Sequence, residues 1–166
     1  MEKTKYLRFG AMIATSTLVM FGVMYLNTYQ LDHVRFSETR AWMALVMGAV
    51  MAIIMLLFMF RMYTDKRLNM AIIGGAVLVF AGSLWLVRSQ QTIGDVSYMR
   101  AMIPHHSIAI LTSERAHIRD PRVRELADGI LEAQKREISQ MNALIADLER
   151  NPTPTGTPGL PPVNKR

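Results

Sequence analysis

Cysteine is absent from the 166 residues. No disulfide staples any part of the chain, and a soft-metal site in it would have to use thioether and imidazole donors. Charge is absent from residues 9–26, 41–60 and 68–87, each close to the roughly 20 residues that cross a hydrocarbon core. Proline is scarce before the end: five of the seven lie within 151–166, so long helices face few interruptions earlier in the chain. A phosphate-binding glycine loop and a nucleophile–base pair are also missing, and the chain is not expected to be an enzyme.

Acidic residues are few, which gives a net charge of +6. The excess is uneven. Residues 1–88 carry nine Lys or Arg against four Asp or Glu, residues 89–150 eight against nine, and the tail two against none. Because the excess sits mostly in the apolar part, no nucleic-acid partner is expected.

The three uncharged runs predict three transmembrane helices within residues 1–88, with the lipid bilayer as partner. Three buried helices of a soluble protein are the alternative, yet these runs are apolar on all sides rather than along one stripe. The first run follows Lys3, Lys5 and Arg8, as a secretory signal would. It stays apolar for longer than a signal core, and no small-residue cleavage pattern follows at Asn27–Gln30, so a retained helix is expected. Arg61, Lys66 and Arg67 make the 61–67 loop basic, whereas Arg35 and Arg40 are offset by Asp32 and Glu38. The positive-inside rule then predicts a cytoplasmic N-terminus and an extracytoplasmic segment from residue 89, as in a bacterial inner (plasma) membrane.

Methionine is plentiful, at 14 residues. Met43, Met47, Met51, Met55 and Met59 recur every fourth residue in the second run, a spacing that winds about 40° per step around a helix. No acid or histidine accompanies the row, so gap-filling or lipid-facing side chains are preferred over a thioether track for a soft cation. Ala44, Gly48 and Ala52 run beside it, a small-residue row that admits a second helix closely.

Beyond Arg88 the pattern predicts a pair of helices. Asp95 is a candidate cap for a helix to Ile118, and Asp120-Pro121 supplies an N-cap and a first-turn proline for another, to Glu149. Leu126, Ile130, Ala133, Met141, Leu144 and Leu148 repeat at helical spacing on the second. A short connection makes the two antiparallel neighbours. The expected fold is therefore all-α: membrane helices in 1–88, an antiparallel hairpin in 89–150 and a Pro-rich, extended or disordered tail in 151–166. So small a hairpin is expected to complete a four-helix bundle by self-association into a homo-oligomer.

The stretch D-V-S-Y-M-R-A-M-I-P-H-H-S-I-A-I at 95–110 holds the candidate chemistry. Met99, Met102 and His106 fall within about 60° on a helical wheel. His105 lies off that face, although a bend at Pro104 would turn it inward. With the chain reversed near Arg119–Asp120, Met99 opposes Met141, Met102 opposes the Glu137–Ile138 level and His106 opposes Gln134. Thioether and imidazole together suit Cu(I), and Glu137 suits Cu(II) or the orientation of a histidine. The plainer possibility is that each Met is core and each His a hydrogen-bonded packing residue, with Glu137 paired to Arg100 or to another chain. Glu114 and His117 form a Glu-x-x-His of di-iron bundles, but residues 123–126 opposite offer one acid, Glu125, off the apolar stripe.

These residues also carry a resemblance. D-V-S-Y-M-R-A-M-I-P-H-H-S-I-A-I, then D-P-R-V-R-E-L-A and E-A-Q-K-R-E-I-S-Q-M, resembles the bacterial domain of unknown function numbered 305 over about residues 92–149. N-T-Y-Q-L-D-H-V-R-F-S-E-T-R before the second run looks like its membrane-anchored members. The resemblance implies an exported, ferritin-like helical bundle associated with copper. It places Met99, Met102, His105 and His106 on the motif face, with Gln134, Glu137 and Met141 opposite. Many members carry a Met soon after the His pair, where this chain has Leu111-Thr112-Ser113. The metal set expected from residues and resemblance is Met99, Met102, His105, His106, Glu137 and Met141, with copper as the ion. The function expected is an extracytoplasmic copper buffer or donor; the alternative is a metal-free membrane scaffold or partner-binding module.

Overall fold

The structure, a computed structural model, describes residues 2–154 and 156–161. The described residues form five α-helices: α1 (Glu2–Val23), α2 (Glu38–Phe58), α3 (Lys66–Ser89), α4 (Asp95–Arg115) and α5 (Pro121–Arg150), with a 3-10 turn at Leu31–His33. No strand occurs among them. The expected all-α class is what the chain adopts.

Helices α1, α2 and α3 are each long and apolar enough to cross a membrane. Most of their apolar surface faces outward, including Leu18, Leu57, Phe58 and Leu78. Helix α2 is central, with α1 and α3 flanking it and meeting each other through the Tyr6 and Asn69 side chains. The small-residue row explains the close approach of α1: Ala44 and Ala52 are buried, and a Cβ at Gly48 would run into Oγ1 of Thr17. Thr17 is itself satisfied, its hydroxyl donating to Ile13 O at 2.8 Å. Of the methionine row, Met55 and Met59 pack against the bundle core and Met43 is exposed, so the row crosses from interior to surface.

Aromatic rings gather at both ends of the spans, where amphipathic rings suit the membrane boundary. Tyr63 meets Tyr6 and Phe9, with ring centroids 5.1 and 5.3 Å apart. At the other end Phe21 meets Tyr25 and Phe36, and Arg40 lies over the Tyr25 ring. Asn69, buried at the first end, accepts from Tyr6 Oη at 2.8 Å and donates to Tyr63 O at 2.8 Å.

The hairpin starts where α3 ends at Gln90, a non-glycine residue in the left-handed region (φ 54°). Asp95 is not the cap: Gly94 takes that position and Asp95 opens the helix, where its charge meets the positive end of the helix dipole. Pro104 lies inside α4, and the helix continues through it. Helix α4 stops at Arg115, three residues before the expected end. Asp120 is confined to extended backbone by Pro121, so the chain leaves the helix beforehand and bridges in residues 116–120. Asp120 then caps α5, accepting from Arg122 N at 2.9 Å. Arg122 grips the same carboxylate through its side chain and holds it below the usual carboxylate range. After Arg150 the described tail residues carry no helix or strand, with a turn at Gly156 (φ 88°). Thr155 and residues 162–166, also within the expected Pro-rich tail, lie outside the described residues.

The hairpin core comprises Met99, Ile103 and Ile110 of α4 with Ile138 and Met141 of α5, and Met102, Ile145, Leu148 and Tyr29 packed around it. Tyr29 is the unexpected member. Residues 24–37, between α1 and α2, fold over the hairpin and cover part of it. Along α5, meanwhile, Leu126, Ile130 and Leu144 of the expected core stripe remain exposed, because the single facing helix covers one sector of the stripe.

Candidate metal centre at the hairpin

Met99 and Met141 are buried from opposite helices in one cluster, with Met102 half-buried at its edge. His106 follows Met102 by four residues, the helical spacing that stacks side chains on one face. Its Nδ1 lies 2.9 Å from Met102 O, and its Nε2 lies 2.8 Å from Oε2 of Glu137 on α5. The side chain of His106 is 13% exposed, against 44% for Glu137. The pair thus lies at the edge of the hydrophobic cluster, open to water on the carboxylate side. Gln134 Nε2 reaches toward the same Oε2 at 3.5 Å.

The hydrogen-bond chemistry is specific. A carbonyl only accepts, so Nδ1 donates to Met102 O, and Nε2 faces the Glu137 carboxylate. The Nδ1 bond sets the ring's orientation, as a carbonyl or carboxylate does for many metal-binding histidines. Nε2 is then the nitrogen available to a metal, which takes an imidazole nitrogen in its unprotonated form.

His105 is brought no closer to this centre by Pro104. It is exposed, its ring centroid is 6.0 Å from that of His106 and the planes are inclined by 69°. Because α4 remains helical through Pro104, adjacent residues keep their roughly 100° separation and cannot share the face. His106 meets Glu137 rather than the level of Gln134, a little under one turn further along α5. Arg100 does not pair with Glu137; it binds Glu149 at 2.6 Å. The Glu-x-x-His arrangement fails geometrically, since His117 lies beyond the end of α4 and both Glu114 and His117 are exposed. Among the described residues no three or more His, Asp or Glu side chains converge, so a site here would need the thioethers to complete it.

Sequence reasoning missed a second histidine. His33 is buried against α4, with its Nδ1 2.9 Å from Ser107 Oγ. The same hydroxyl accepts from Tyr29 N at 2.7 Å. Ser107 is fully buried and immediately follows His106, so these bonds fix the helix that carries the centre. The Tyr29 phenol is held above its ordinary value, chiefly by its hydrogen bond to Glu114, with burial and the Glu114 charge adding to the shift. One further link joins the hairpin to α2, Ser97 Oγ donating to Glu38 Oε1 at 2.9 Å; behind it, within the 24–37 loop, Ser37 N donates to Tyr25 Oη at 3.0 Å. The available signal was the length of the 24–37 connection, since a structureless loop beyond about 12 residues in a compact chain is usually functional.

A stretch of 64 residues is 39% identical to an uncharacterized protein of Acanthamoeba polyphaga mimivirus, covering 37% of this chain and 42% of that protein. The chain therefore spans less than half of that relative. No solved structure matches it. Residues 95–163, the hairpin and most of the tail, match the family described as Domain of unknown function (DUF305), and it is this domain that the chain resembles.

Proposed function

We propose that the protein is a membrane-anchored, non-enzymatic copper-binding protein that holds Cu(I) at its hairpin as an extracytoplasmic buffer or donor. The observation that carries this reading is the orientation of His106, with Nδ1 bonded to Met102 O and Nε2 directed at Glu137 beside the Met99–Met102–Met141 cluster. Soft thioethers with one imidazole form a donor set that favours Cu(I) over harder ions. Glu137, partly exposed, would move aside or act as an outer partner. His105, being exposed, has no direct part in this centre and is a candidate for the entry path. The basic 61–67 loop supports a cytoplasmic N-terminus, with an inner membrane as the location. The exposed α5 face around Val123, Leu126 and Ile130 supports self-association.

A second reading has its own observation: Met99 and Met141 are buried among isoleucines as ordinary core residues are. On that reading the hairpin is a metal-free scaffold. A competitive Cu(I) titration of the full chain in detergent or nanodiscs, beside Met99→Ala/Met102→Ala/His106→Ala, separates the two. The full chain is required because Tyr29 and His33 complete the hairpin. Binding that competes with the chelator and disappears in a variant of unchanged helicity supports copper. A folded wild-type protein that takes up no Cu(I) rejects it.

A further inference from the structure

The base of the hairpin carries a pocket that the copper centre does not use. Its volume is about 300 Å³, and Arg35, Arg100, Asn142, Ile145, Ala146 and Glu149 line it. Three elements meet there: the 24–37 loop, α4 and α5. Glu149 holds one edge of the Arg100 guanidinium at 2.6 Å. Among the described residues, no side chain pairs with Arg35 and no hydrogen bond engages the Asn142 amide. Two guanidiniums against one carboxylate leave the pocket positive, with donors to spare.

Its position is equally informative. Ser97 is bonded to Glu38 in the first turn of α2, and Arg100 follows about one turn along α4. The pocket therefore lies just beyond the end of the membrane spans. Arg35 is flanked by Val34 and Phe36, exposed by 40% and 63%, and Phe36 packs on Phe21 of α1 at 6.1 Å between centroids. A cation between exposed apolar side chains at the end of a span suits the headgroup layer, with the apolar groups toward acyl chains and the cation among phosphates.

We propose that this pocket binds the phosphate of an anionic phospholipid in the leaflet on the hairpin side. Arg35 and Arg100 supply charge-assisted hydrogen bonds, for which the guanidinium fork is well shaped, and Asn142 supplies a neutral one. Free phosphate offers the same oxygens but no chains to meet Val34 and Phe36. A lipid held this way ties the 24–37 loop to α4 and α5, fixing the hairpin against its own spans. The inference rests on the membrane reading of α1–α3 and is independent of copper.

The test uses the full chain in nanodiscs of phosphatidylcholine with increasing phosphatidylglycerol, read by thermal shift and by lipid retention in native mass spectrometry. Wild type is stabilised by phosphatidylglycerol, and Arg35→Ala weakens that response about tenfold or more, the scale of lost charged hydrogen bonds. Arg88→Ala, an exposed cation at the hairpin-side end of α3, weakens it only about fivefold, the scale of general surface attraction. Asn142→Ala, which leaves charge unaltered, also weakens it. Circular dichroism checks that each variant is folded. Equal losses for Arg35→Ala and Arg88→Ala, or an unchanged Asn142→Ala, would reveal diffuse charge attraction and overturn the proposal. An equal, Arg35-dependent shift by inorganic phosphate in purely zwitterionic discs would overturn the lipid assignment.

Discussion

Ser107→Ala should loosen the loop from the hairpin without disturbing the packing of α1, α2 and α3. The hydroxyl it removes accepts from Tyr29 N at 2.7 Å and contacts His33 Nδ1 at 2.9 Å. Alanine keeps the Cβ and the helix, so the change is confined to those two bonds. Ser107 is fully buried, so the substitution leaves the Tyr29 N–H without its protein acceptor. A buried donor left unsatisfied costs about 1–3 kcal/mol. Tyr29 and His33 both line a small cavity of about 190 Å³, and water entering it offsets part of the combined loss. A net cost of about 2 kcal/mol corresponds to roughly thirtyfold faster opening of the loop. Amide exchange at Tyr29 reads this directly, since opening of the loop exposes that N–H. Ser113→Ala, also buried on α4 but bonded to neither residue, is the control and should leave exchange at Tyr29 unchanged. An unaltered Tyr29 rate in a folded Ser107→Ala protein would refute the loop's role in holding α4.

Three other consequences are open to measurement. Gly48→Ala should push α1 from α2, because the added Cβ meets Thr17 Oγ1; overpacking costs about 1–3 kcal/mol, whereas the Cβ of Gly74→Ala meets nothing within 4 Å and should not destabilise the protein in detergent. Tyr29 should ionise above the ordinary 10.0, because its hydrogen bond to Glu114 raises it. The associated stabilisation is complete below that value and is lost as pH rises through the higher folded value; Glu114→Gln should lower the tyrosinate transition, and no change would remove the bond. If α5 completes a bundle with a second copy as proposed, wild type is oligomeric in size-resolved light scattering and Leu126→Lys, at 65% exposure on α5, is monomeric with helicity intact; a monomeric wild type would refute it.

The three long apolar helices are legible from sequence, because a charge-free run of about 20 residues has the length and composition of a membrane-crossing helix almost by itself. Likewise, Asp120-Pro121 marks the start of α5 through local backbone constraints. The His106–Glu137 encounter was legible to within about one turn, because an antiparallel hairpin leaves little freedom beyond the length of its connection. The contact of His33 with Ser107 was not: 74 residues separate the two, and no local period reports where a long loop lands. The exposed half of the α5 stripe was also beyond reach. Helical spacing tells which residues share a face, but not how much of that face one partner covers.

The most direct test of the copper centre is X-ray absorption of the full-length protein loaded with Cu(I), beside His106→Ala. The proposal predicts sulfur scatterers from thioethers together with imidazole, the imidazole contribution being lost in the variant. Coordination by nitrogen and oxygen alone, or an identical spectrum in His106→Ala, would contradict it.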